Sequence, residues 1–271
     1  MPGTATTLSR ETTDVVASAG GDDLLTLCAV SILAFIVGNV LCEAGRAAVA
    51  LLTISPAGWL SSVGWSSAYD NAWVDASGAL IGLIAALLFW TLLRSFQRAG
   101  STTRLFLLLG GAFTALSGAG HFVIAGLTDF GDWYTLLRGL HRWNAVSVSL
   151  LAGGVLAYGF ALVAIGREFR AFADRRQVRR ILRVAWRAAI AVYLCSAVLN
   201  PGGAKEVALT NLPITVISEF GLLFVFLLVP KRAAAAGDAV VIRRCVPFIS
   251  VATVCALLYL FVLGRGLMLT R

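Results

Sequence analysis

The chain has 271 residues, of which 59% are hydrophobic and only 13% charged, whereas soluble domains carry about 25% charged residues. That imbalance excludes an ordinary water-soluble domain and leaves a polytopic membrane protein, with apolar surface facing lipid as well as a core. The net charge of +8 would suit a nucleic-acid binder, but the basic residues fall where membrane topology requires them, so nucleic acid is not expected as a partner.

Residues 1–23, rich in Thr, Ser, Ala, Gly and Asp, read as a disordered cytoplasmic tail. A long polar stretch before the first apolar run argues against a cleaved signal peptide. Residues 24–271 read as one transmembrane helical domain. Seven apolar segments follow in order: Leu24 to about Thr53, Ala76 to Leu93, Leu105 to Leu127, Asn144 to Gly166, Ile181 to Asn200, Val207 to Val229, and Pro247 to Leu267. Most approach the roughly 20 residues that cross about 30 Å of hydrocarbon. The expected fold is therefore an all-α bundle of about seven spans.

Orientation follows from the Lys and Arg residues. With the N-terminus inside, the inner loops hold fifteen of them: Arg94, Arg98 and Arg104, eight arginines from Arg167 to Arg187, then Lys231, Arg232, Arg243 and Arg244. The outer side holds five: Arg138, Arg142, Lys205, Arg265 and Arg271. The positive-inside rule then places the N-terminus in the cytoplasm and the C-terminus outside. The Arg167–Arg187 stretch, interleaved with apolar residues, reads either as a helix on anionic lipid headgroups or as a helical extension of the fifth span. Five cysteines without paired spacing read as packed thiols.

Ionisable residues at membrane depth are costly and mark functional candidates. They are Glu43 and Arg46 in the first span, His121 in the third and Glu219 in the sixth, together with Asp132 in "LTDFGDWYTLLRGL" just past the third. On a helix, Cys42, Glu43 and Arg46 share a face. The metalloprotease pattern H-E-x-x-H uses this spacing to aim two imidazoles at one zinc, with the Glu activating water. "CEAGR" falls onto that pattern with Cys42 and Arg46 in the histidine places.

"VDASGALIGLIAALLFW", "FGDWYTLLRGL" and "LNPGGAKEV" follow in order. With "CEAGR" they give a chain that, from about residue 35 to 230, resembles bacterial polytopic membrane proteins related to the site-2 protease family of intramembrane zinc metalloproteases. The resemblance implies a bacterial inner-membrane location, Glu43 as a vestigial catalytic residue, and Cys42, Arg46 and Asp132 as degenerate metal-ligand positions. A guanidinium has no lone pair for a metal and repels a cation. The expectation is thus a catalytically inactive scaffold without cofactor, binding or regulating membrane segments or other membrane proteins. Two alternatives stand beside it. One is an active, atypical zinc peptidase using Cys42, Asp132 and a third ligand. The other is a small proton-coupled transporter using Glu219.

His121 lies eleven residues before Asp132, about 16 Å along an unbroken helix, so the two converge only if the helix breaks between Gly126 and Gly131. His141, in the loop beyond, reads as an interfacial residue. Arg46 either pairs with Glu43 and Asp132 in the former metal space or snorkels to the outer headgroups. Glu219 reads as a proton carrier or as a structural carboxyl bonded to a neighbouring helix.

Overall fold

The computed structural model describes residues 22–53, 57–66, 71–128, 132–137, 143–200, 214–230 and 241–271. Most of the expected cytoplasmic tail, His141 and part of "LNPGGAKEV" lie outside these. The architecture is all-α: α1 (Leu24–Thr53), α2 (Ala72–Ser95), α3 (Ser101–Leu127), α4 (Asp132–Leu137), α5 (Trp143–Arg170), α6 (Arg175–Val198), α7 (Ile214–Leu228) and α8 (Val246–Leu258). The last continues as a π-helical turn over Tyr259–Leu263. Six of these helices are long and apolar enough to cross a membrane, namely α1, α2, α3, α5, α6 and α8 with its π turn, while α7 is a shorter apolar helix.

Lipid offers the backbone no hydrogen bonds, so runs such as "LLTLCAVSILAFIVGNVL" must pair their peptide groups within one helix. Polar caps mark helix starts: Asn71 Oδ1 accepts from Trp73 N–H at the head of α2, and Asp174 Oδ1 from Gln177 N–H at the head of α6. Helix α3 is the hub. It is buried along most of its length and packs against α1, α2, α4, α5 and α7. An aromatic cluster joins three helices at the core, with the Phe35 ring edge-on to Phe113 (5.6 Å) and to Tyr193 (6.1 Å).

Helix termini gather at one end of the bundle. Asp22 Oδ1 accepts from Gln177 Nε2 (2.9 Å) and from the Ile242 N–H (3.0 Å), and Thr26 Oγ1 accepts from Cys245 N–H, which brings the starts of α1, α6 and α8 together. Arg94 pairs with Glu168 at 2.9 Å and Arg170 Nε donates to the Leu228 carbonyl, adding the ends of α2, α5 and α7. The segment Arg167–Arg187 is not a separate surface helix. It is the last turn of α5, a bend over residues 171–174, and the first turns of α6, where Arg175 and Arg179 both stack on the Phe226 ring.

At the opposite end a small antiparallel sheet, absent from the sequence expectation, closes the bundle. Strands β1 (Ala57–Ser61) and β2 (Gly64–Ser66) form a hairpin after α1, and β3 (Leu267–Thr270) pairs with the other edge of β1, Trp59 opposite Met268 and Leu60 opposite Leu267. The buried Tyr259 hydroxyl is shared between Asn39 Oδ1 (3.1 Å) and the Ser62 carbonyl (3.2 Å), and Ser62 also bonds Ser196 of α6. The hairpin is thereby anchored onto α1, α6 and α8, directly over the first helix's polar face.

A candidate polar site inside the bundle

On α1, residues 39, 42, 43 and 46 recur at the i, i+3, i+4, i+7 spacing of one helical face. Asn39, Cys42, Glu43 and Arg46 all line a cavity of about 80 Å³. Thr114, Ser117 and His121 of α3, Tyr193 of α6, and Thr215 and Glu219 of α7 line it too. Five of the six residues that the sequence singled out thus meet at one place. The volume holds several water molecules, and its polar lining can satisfy them.

Arg46 Nη1 lies 3.1 Å from Glu43 Oε2 and 3.5 Å from Oε1, and the two side chains are 11% and 13% exposed. This is a partly desolvated pair, held by the helical spacing, rather than a side chain extended to the surface. Gly78 on α2 makes room for it, since a Cβ at that position would sit 2.2 Å from Arg46 Nη2. Cys42 points toward the α2–α3 seam, with its Sγ 3.4 Å from where a Cβ on Gly82 would lie. "SGALIG" therefore acts as a small-xxx-small face, on which Gly78 receives the guanidinium and Gly82 the thiol and the backbone of α3.

His121 Nδ1 is 2.8 Å from the Ser117 carbonyl. A carbonyl only accepts, so Nδ1 carries a hydrogen, and in the uncharged tautomer that places the lone pair on Nε2. Glu219 is 2% exposed, and its Oε2 has no hydrogen-bond partner among the described residues. Beside it, Tyr158 of α5 donates to the Ser218 carbonyl (2.6 Å) and accepts from Gly221 N–H (3.0 Å). This bond holds the point where α7 tightens from α-helix to a 3₁₀ run over Gly221–Leu228.

The break between α3 and α4 that convergence of His121 and Asp132 requires is present: α3 ends at Leu127, α4 starts at Asp132, and Trp133 folds back to stack on Phe122 at 4.8 Å. The Asp132 side chain itself lies outside the described residues. Among the described residues no three His, Cys, Asp or Glu side chains are placed to hold a metal. The donor set that the described residues offer does not fit zinc either, because the guanidinium at position 46 sits in the cavity as a fixed positive charge beside the only carboxylate of α1 that lines it.

Sequence reasoning missed Asn39, Tyr193 and the Thr114–Ser117 turn. Asn39 was accessible from the four-residue step to Glu43. Tyr193 was not, since nothing local distinguishes it from a packing aromatic. No protein-family model, curated protein or solved structure matches the chain, so the arrangement of these side chains carries the functional reading.

Proposed function

We propose that the chain is a bacterial inner-membrane protein whose scaffold is of the intramembrane metalloprotease kind, with the metal place taken by the Glu43–Arg46 pair. It binds or regulates membrane segments without cleaving them. The observation that carries this reading is the ion pair at 3.1 Å inside a polar cavity of the helix bundle. An H-E-x-x-H helix would there present zinc and a water. This helix presents a guanidinium, which neutralises Glu43 and withholds it from base chemistry.

In this reading the chain crosses seven times with a cytoplasmic N-terminus, and the strand pairing supports the odd count. Pairing of β1 with β3 puts the end of α1 and the end of α8 on one side, which calls for an even number of crossings between them. Helices α2, α3, α5, α6, α7 and α8 supply six if the short α7 crosses. The opposite end gathers Arg94, Arg167, Arg170, Arg243 and Arg244, and is the end suited to a cytoplasmic leaflet with anionic headgroups.

The test is metal content. Protein purified without chelators should carry well under one zinc per chain. The combined change Cys42→His and Arg46→His should raise zinc binding if Asp132 completes the set. Stoichiometric zinc in the unaltered protein would end this reading.

A further inference from the structure

Glu219 is the ionisable group that the ion pair leaves unexplained. The cavity's carboxylates are Glu43 and Glu219, and its one permanent cation, Arg46, is 3.1 Å from Glu43. A second carboxylate at 2% exposure, with Oε2 unpartnered among the described residues, is costly as an anion without a cation of its own, and a proton is the smallest group that neutralises it. The same cavity holds an acceptor. His121 uses Nδ1–H on the Ser117 carbonyl, which directs the Nε2 lone pair away from its own helix.

We propose that this cavity is a proton-exchange site, in which Glu219 carries a proton drawn from water and passes it, through water in the cavity, to Nε2 of His121. The O–H bond of the carboxyl breaks and an N–H bond forms on the ring, so the step turns a neutral pair into carboxylate and imidazolium with no other reactant. The groups facing it are accounted for on each packed element. Helix α1 contributes Cys42 and the self-compensating Glu43 and Arg46, α6 contributes Tyr193, and α5 contributes Tyr158, whose hydroxyl is engaged on both sides by α7. Among the described residues lining the cavity, His121 is the one side chain whose ring nitrogen can take up a further proton. Proton exchange between these two side chains needs neither zinc nor the protease likeness.

Infrared difference spectroscopy of the full chain in nanodiscs, between acidic and alkaline buffer, reads the carboxyl directly. A protonated-carboxyl stretching band is expected that titrates with one proton per chain, shifts down on exchange into D₂O, and disappears in Glu219→Gln. In His121→Phe the midpoint of that band should move. If Glu219→Gln does not fold, Glu219→Asp should keep the band at a displaced frequency. A band that survives Glu219→Gln, that ignores D₂O, or whose midpoint is unchanged in His121→Phe overturns the proposal, as does the absence of any such band. Zinc content is untouched by these outcomes, so failure here and failure of the metal-free reading are separately visible.

Discussion

The Arg46 guanidinium lies directly over the Cα of Gly78: a methyl group added there would approach Nη2 at 2.2 Å and Cζ and Nε at 2.8 Å. Two helices therefore meet through a charged side chain on one and the lack of a side chain on the other. Gly78→Ala forces the guanidinium out of its place or the helices apart, and overpacking of this kind costs about 1–3 kcal/mol. Thermal unfolding in detergent should show that loss. In an Arg46→Ala background the same change should cost much less, since the colliding group is gone. Additive effects of the two changes would mean that Gly78 is not the guanidinium's seat.

The ion pair itself predicts an asymmetry. Removing one partner of a fully buried pair typically costs about 3–5 kcal/mol, which is the upper bound for a pair 11% and 13% exposed, whereas replacing both by apolar or neutral groups of similar size can be nearly neutral. Arg46→Ala should accordingly destabilise the protein far more than Arg46→Met combined with Glu43→Gln. Denaturation in mild detergent across the three proteins checks it. Equal destabilisation would show that Arg46 contributes by volume rather than by charge.

Much of the fold was legible because lipid makes helix the only economical state for a long apolar run. The first segment, read as Leu24 to about Thr53, is α1 to the residue, and the third was placed to within four residues of α3. Boundaries drifted where basic residues extend a helix beyond its apolar part: α6 starts at Arg175, not near Ile181, because the Asp174 cap and the Arg175–Phe226 stacking stabilise turns that hydropathy counts as loop. The sheet was hidden because β1 and β3 are separated by most of the chain, and neither shows enough alternation to declare itself. For the site, spacing placed Cys42, Glu43 and Arg46 on one face, but that His121 and Glu219 open into the same cavity depends on the packing of α3 and α7, which no local pattern encodes.

The β1–β3 pairing yields a topological prediction. Leu60→Cys with Leu267→Cys, opposite each other in the sheet, should cross-link on oxidation in a background lacking the native cysteines. Reporter fusions after Arg176 and Arg244 should read cytoplasmic, and fusions after Trp133 and at Arg271 external. A cytoplasmic signal at Arg271 alongside a formed cross-link would place both ends of the sheet on the inner face and invert the orientation.

A last prediction concerns the other end of α1, where Asp23 caps the helix outside its apolar part. Its Oδ2 accepts from Thr26 Oγ1 (2.6 Å) and from the Thr26 N–H (2.9 Å), while Thr26 Oγ1 accepts in turn from Cys245 N–H. The hydroxyl bond, then the backbone bond, hold the Asp23 carboxyl below its usual range, with Arg244 adding a smaller push in the same direction against partial desolvation. A carboxyl lowered on folding binds fewer protons in the native state than in the unfolded chain, so it favours folding at neutral pH. That contribution is fully present above the unfolded value of about 3.9 and is lost as pH falls through the lower native one. Asp23→Asn keeps an oxygen that can cap Thr26 but removes the charge and its titration. The variant should be modestly less stable than the unaltered protein at pH 7, and the difference in melting temperature should shrink as the buffer is taken below about pH 4. A difference that stays constant into acid would mean that the cap acts through geometry alone, and that the Asp23 charge does not help tie α1 to the start of α8.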